Sequence, residues 1–284
     1  MSTLLVPTDF SPCARGAVKY AIQLAGLTNS RLVFFHSAFA QIPTRNSKTA
    51  YETAIDTTIE QKTRALEKET DKIYATLGQQ RHPEQTSVLV KFGLSVPENI
   101  QQAIEDVQPD IVVMGTQGAS GLGKLIFGST TADIITQAPV PVLAIPQRYR
   151  FRPIQKIICI SDMSDNLTKE IESVMPWARE LGVPVEVVYF DYGWGNQADR
   201  QQLFENAAEQ ANYPQLAWVT RKADVTLSLE DNLRLYLKRQ RAFVLATFTS
   251  ERTFFEKMLL GSLTKDLAYK LAFPLLSVRK AMLA

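Results

Sequence analysis

Residues 115–131 read GTQGASGLGKLIFGSTT, a stretch whose residue types and spacing could hold phosphate. Within it, residues 118–125 come within one position of the P-loop pattern G-x-x-x-x-G-K-[S/T]. A P-loop sets its last Ser or Thr hydroxyl on Mg²⁺ and begins its helix near the lysine. Here Leu125 stands in the hydroxyl position, and the next helix-start signal after Lys124 is Gly128-Ser129. The stretch also follows a late strand of its domain, not the first. A second arrangement suits these residues better. Gly115 ends an apolar run, Gly118 follows, and Gly128-Ser129 open a helix. Glycine lets a ligand approach backbone closely, because no Cβ intervenes. A helix start offers unpaired N–H groups and the positive end of the dipole. Ser129, read as the helix cap, and Thr130 add hydroxyl donors. Lys124 adds charge in a direction the sequence does not give. The plain alternative is that the first two glycines make a tight turn and nothing more.

Other chemistry has little to stand on. There is no G-x-S-x-G, no H-E-x-x-H and no Cys-x-x-Cys. His36 and His82 are far apart, as are Cys13 and Cys159, so neither a metal-spacing pattern nor a disulfide framework emerges. No catalytic or metal-binding residue is assigned, and an enzyme reading rests on slow phosphate hydrolysis at most. His36 ends an apolar strand and reads as a packed or hydrogen-bonded residue. Cys13 lies in the first turn of a helix, where the dipole can lower a thiol pKa; a redox role is the minor reading beside a plain reduced thiol.

The elements that must position the loop are legible. Residues 3–7 form an apolar strand, and Ser11-Pro12 is a helix start, a capping hydroxyl before a first-turn proline. Strands follow at 32–35, 87–90, 111–114 and 141–145, with helices at 50–77, 96–107 and 129–138 between them. The 50–77 helix is polar with a narrow apolar stripe, and its charges read as a solvated face, a lid or a partner surface. Such alternation argues for an α/β fold with a parallel sheet covered on both faces. Residues 146–156, rich in proline and basic side chains, read as a linker, after which the pattern restarts. Helices are expected at 164–181 (interrupted by Pro176), 198–211, 228–239 and 262–271, and strands at 156–160, 184–188, 218–225, 242–246 and 274–278.

The restart is an internal repeat. Pro7-Thr8-Asp9-Phe10-Ser11 lies over Ile160-Ser161-Asp162-Met163-Ser164, and residues 32–38 lie over 185–191. Met114 lies over Thr247, and Gly128-Ser129 over Gly261-Ser262. The second copy is shorter around its second helix. Two like domains are expected, 1–147 and 148–284, not a solenoid.

The motif G-x-x-G-(nine residues)-G-S/T after an apolar strand resembles the nucleotide motif of the universal stress protein family. The Pro7-to-Ser11 turn resembles that family's first strand-to-helix turn, and the strand order matches in both halves. The resemblance implies a tandem member: two doubly wound five-stranded parallel sheets, Rossmann-like and of the adenine nucleotide alpha hydrolase type. It implies a stress-response protein that binds ATP, with or without Mg²⁺, and uses occupancy as a switch. It carries Pro7, Thr8 and Asp9 to the ribose and adenine side, Ala38 to an adenine contact through its backbone, and Met114 and Gly115 along the nucleotide. Gly118, Gly128, Ser129 and Thr130 would hold the phosphates. Asp9 has a rival reading as a helper in capping the first helix. The second half departs from the pattern: Phe248 and Glu251 stand where Gly115 and Gly118 do, and Asp191 where Ala38 does. It is not expected to bind ATP in this mode. The resemblance also implies pairing of the two domains through the strands 141–145 and 274–278, and it leaves homodimerisation open.

Composition narrows the class. Hydrophobic residues make up 45% and charged residues 21%, the profile of a globular chain with a core. A net charge of +2, spread along the chain, names no nucleic-acid partner. No apolar run reaches the length of a membrane span, and the first residues lack a signal peptide's pattern, so a cytoplasmic protein is expected.

Overall fold

The computed structural model describes residues 2–39, 48–116, 128–161, 166–193, 196–249 and 273–279. Among these the chain divides into two compact units, one running to Phe151 and the other beginning at Arg152.

The first unit opens with β1 (Thr3–Pro7), whose Leu4, Leu5 and Val6 have no exposed surface. The Ser11 hydroxyl accepts the Ala14 N–H at 3.1 Å and starts α1 (Pro12–Thr28), which ends on a left-handed Asn29. β2 (Arg31–Ala38) is buried from its second residue onward, as a parallel strand covered on both faces must be. Then come α2 (Lys48–Thr76), β3 (Thr86–Phe92), α3 (Val96–Val107), β4 (Ile111–Gly115), α4 (Ser129–Gln137) and β5 (Val142–Ile145). All pairings are parallel, in the order β3-β2-β1-β4-β5. The chain winds outward from β1 in one direction and from β4 in the other. The crevice between those two strand ends is the topological switch point, where doubly wound sheets take ligands.

The second unit repeats this plan with β6 (Lys156–Ile160), α5 (Leu167–Leu181), β7 (Val185–Asp191), α6 (Gln197–Ala211), β8 (Leu216–Lys222), α7 (Leu229–Leu237), β9 (Phe243–Thr249) and β10 (Leu275–Arg279). Its order is β10-β9-β6-β7-β8, again parallel. The registers repeat as well. Leu4 faces Leu32 and Ile111 across its two neighbours, and Ile157 faces Val185 and Val244.

Several expectations shift. Within the described residues α5 begins at Leu167 and runs unbroken through Pro176. A proline there forfeits one helical hydrogen bond. The buried stripe of Ile171, Val174, Met175 and Ala178 on both sides of it outweighs that loss. The strand expected at 218–225 is Leu216–Lys222, because the Asp224 carboxylate takes the Thr226 N–H at 2.9 Å and turns the chain. α2 starts at Lys48, two residues before the start of the helix expected at 50–77. The helix expected at 262–271 lies outside the described residues. Among the described residues, no helix is long and apolar enough to cross a membrane.

The third helix of each unit carries a buried asparagine just after its serine cap. Asn99, 3% exposed, follows Ser95, and Asn232, 7% exposed, follows Ser228. Asn99 donates to the Ser37 hydroxyl at 2.7 Å and so ties α3 to the end of β2. Asn232 instead accepts the Asp224 N–H and donates to the Asp224 and Ser228 carbonyls, closing the loop before α7. Asn99→Ala leaves the largely buried Ser37 hydroxyl without this partner. It should lower the unfolding free energy in urea by about 1–3 kcal/mol.

Candidate functional site

A cavity of about 500 Å³ opens at the carboxyl ends of β1, β2 and β4. Pro7, Thr8 and Asp9 form one side, Met114 and Gly115 the floor, and Gly128, Ser129 and Thr130 the far end. These residues are distant in sequence and are brought to one place by the strand order. Of the other predicted site residues, Gly118 lies outside the described residues, as does Lys124. Ala38 does not line the cavity. It is the last residue of β2, 1% exposed, and its carbonyl accepts the Gly93 N–H at 3.2 Å. Its neighbours Ser37 and Phe39 line the cavity instead.

The turn from β1 to α1 is tightly tied. The Thr8 N–H donates to the Phe35 carbonyl at 2.8 Å, and the Thr8 hydroxyl accepts the Phe10 N–H at 3.2 Å. The Asp9 carboxylate accepts the Ser11 N–H at 2.9 Å. Asp9 therefore closes the turn, and the cap of α1 is Ser11. Phe10 has φ 63°, a left-handed backbone that costs a bulky residue about 1–3 kcal/mol and persists only where neighbours impose it. Its ring packs on His36 with centroids 4.5 Å apart. His36 is 8% exposed, and its Nδ1 lies 2.8 Å from the Thr8 carbonyl. A carbonyl can only accept, so Nδ1 carries the proton and a neutral ring keeps its lone pair on Nε2. Burial pushes the His36 pKa below the ordinary histidine value; the Thr8 bond pulls the other way, and the Lys62 charge adds to the lowering.

The far end is the start of α4. Its N-cap is Gly128, with no side-chain cap bond, and Ser129 is the first helical residue. This corrects the reading of Ser129 as the cap. The difference matters, because a capping hydroxyl is occupied by its own helix. Among the described residues the Ser129 and Thr130 side chains make no hydrogen bond, and both line the cavity. The first N–H groups of α4 have no intrahelical acceptor, as at any helix start. Two bonds fix this terminus to β4: Gly128 N–H to the Thr116 carbonyl at 2.7 Å, and the Thr131 hydroxyl to the Gly115 carbonyl at 2.9 Å. Gly115 is glycine for a further reason: a Cβ there would stand 2.9 Å from the Cys13 sulfur and 3.0 Å from its carbonyl carbon and oxygen.

Sequence reasoning did not single out the remaining walls. Val96 and Ile100 on α3, with Phe39, give apolar surface. Lys62, on the helix whose charges were read as a solvated face, lines the cavity too. Among the described residues, no group of three or more His, Cys, Asp or Glu could hold a metal ion. In the second unit, Ile160 and Ser161 replace Pro7 and Thr8, and Thr247 and Phe248 replace Met114 and Gly115. Phe248 is 7% exposed, on β9 in register with Val278 of β10. Asp162, Glu251, Gly261 and Ser262 lie outside the described residues.

Comparison with known proteins agrees with this architecture. The family model described as universal stress protein family matches residues 1–146. A universal stress protein of Thermus aquaticus is 29% identical over 143 residues, which are 50% of this chain and 97% of that one. Another, of Methanocaldococcus jannaschii, is 29% identical over 147 residues, 50% of this chain and 80% of its own. The crystal structure of a universal stress protein from Archaeoglobus fulgidus covers 97% of this chain and 95% of its own, with a TM-score of 0.62 at 12% identity. At that identity the likeness speaks for the fold alone. The match over the first half, with the same sheet built twice, makes this chain a member of the universal stress protein family, in its tandem form with two halves of that fold.

Proposed function

We propose that the first unit binds ATP in this cavity, and that occupancy acts as a regulatory switch in a stress response. The observation that carries the reading is one cavity running from the Thr8–Asp9 turn to the start of α4. Its volume of about 500 Å³ lies within the ordinary range for small-ligand sites. The residues fit such a ligand. Phosphate oxygens suit the unpaired N–H groups and dipole of the α4 start, with the Ser129 and Thr130 hydroxyls as added donors. The apolar face of Val96, Ile100 and Phe39 suits a base. Asp9 can accept from a ribose hydroxyl. Mg²⁺, where it accompanies ATP, would be held by phosphate oxygens and water more than by protein, as this cation often is. Neither Cys13 nor Cys159 forms a disulfide, which suits a reducing cytoplasm. The second unit, with Phe248 in place of Gly115, is assigned another role.

The test is nucleotide content. Purified protein is denatured, and any released nucleotide is identified and counted per chain, with a calorimetric titration of emptied protein alongside. Close to one ATP per chain is expected. Close to two would mean that the second unit binds despite Phe248, and none by either method would sink the proposal.

A further inference from the structure

Lys62 stands where α2 meets the cavity. Along α2, Leu66, Thr70 and Ile73 are buried, at 1%, 2% and 4% exposure. Lys62 lies one turn before Leu66, on that same sheet-facing stripe. Instead of packing against a strand, it meets the cavity and forms part of its wall. Three other cations in contact with α2 are matched, Arg15 with Glu69, Arg64 with Glu60 and Arg81 with Asp71, while Lys68 and Lys72 are exposed to solvent. Among the described residues Lys62 makes no hydrogen bond, and no carboxylate lies within ion-pair distance of it. Lys62 is partly exposed, and a ligand that brings negative charge into the cavity would give its ammonium a partner there.

We propose that Lys62 is a specificity-determining residue of this cavity, its ammonium taking an anionic phosphate group of the ligand. The inference rests on the nucleotide reading of the site and goes further. It places a second positive group in the cavity besides the α4 start, on an element that no nucleotide motif in the sequence marks. A cavity with both should bind a nucleotide in proportion to its phosphate charge. Uncharged nucleoside should be indifferent to Lys62.

The experiment titrates ATP and adenosine into the full-length wild type, Lys62→Gln and Lys62→Arg. A lost charge-assisted hydrogen bond corresponds to about tenfold or more in affinity. Lys62→Gln is expected to weaken ATP by about that factor while adenosine stays within about twofold, and Lys62→Arg to restore most of the ATP affinity. Adenosine binding serves as the folding control. Equal weakening of both ligands would make Lys62 a packing residue and overturn the inference. Unchanged ATP binding in Lys62→Gln would overturn the inference alone and leave the nucleotide site standing. A wild type that binds neither ligand would overturn both.

Discussion

Gly118→Glu is expected to weaken ATP binding by about two decades, with little change in melting temperature. Position 118 lies two residues past Thr116, whose carbonyl takes the Gly128 N–H and joins the end of β4 to the start of α4. A carboxylate about 6 Å from a phosphate charge, at an effective dielectric near 20, repels it by about 3 kcal/mol. Gly118→Ala adds bulk without charge and should cost much less. The second half carries this substitution naturally, as Glu251, beside Phe248. The variant thus copies one difference between the halves into the half proposed to bind. Calorimetric titration of both variants checks it. A Gly118→Glu protein that binds as well as wild type would remove the phosphate role and leave the loop a turn.

The architecture was legible because buried parallel strands write themselves as apolar runs. Residues 3–7 and 96–107 coincide with β1 and α3, and the Ser11-Pro12 signal marks the true start of α1. The internal repeat carried through to the strand registers, since a one-residue slip would move every side chain to the wrong face. The site was harder, for particular reasons. Serine is a favoured N-cap, so Ser129 attracted that role, whereas glycine at the cap leaves no side-chain signature. Lys62 lies on the α2 stripe with Leu66, but the sequence does not reveal that the stripe meets a strand end there rather than a strand. Ala38 was placed by resemblance, and the actual register commits its carbonyl to Gly93 while its neighbours line the cavity. The contact between Cys13 and Gly115 joins positions too distant in sequence for any local pattern to show it.

That contact makes Gly115→Ala a test with a sign in it. Gly115 is not among the described glycines of positive φ, which are Gly78, Gly182 and Gly193. Alanine can therefore adopt its backbone, and with open space beside it the change would stabilise the protein by about 0.4–1 kcal/mol through the unfolded chain. The space is not open. The new Cβ would meet the Cys13 sulfur at 2.9 Å and the Cys13 carbonyl carbon and oxygen at 3.0 Å. A sulfur can be moved or removed; the two backbone atoms belong to the first turn of α1 and move only with it. Gly115→Ala is expected to destabilise by about 1–3 kcal/mol, as overpacking of a dense interior does. In a Cys13→Ala background more than half of that penalty should persist, because only the sulfur contact is gone. Urea unfolding of the two single variants and the double variant completes the cycle. Full relief in the double variant would put the obstacle in the thiol alone. Stabilisation by Gly115→Ala with loss of ATP binding would return this glycine to the role first read for it, a bare backbone that lets the ligand come close.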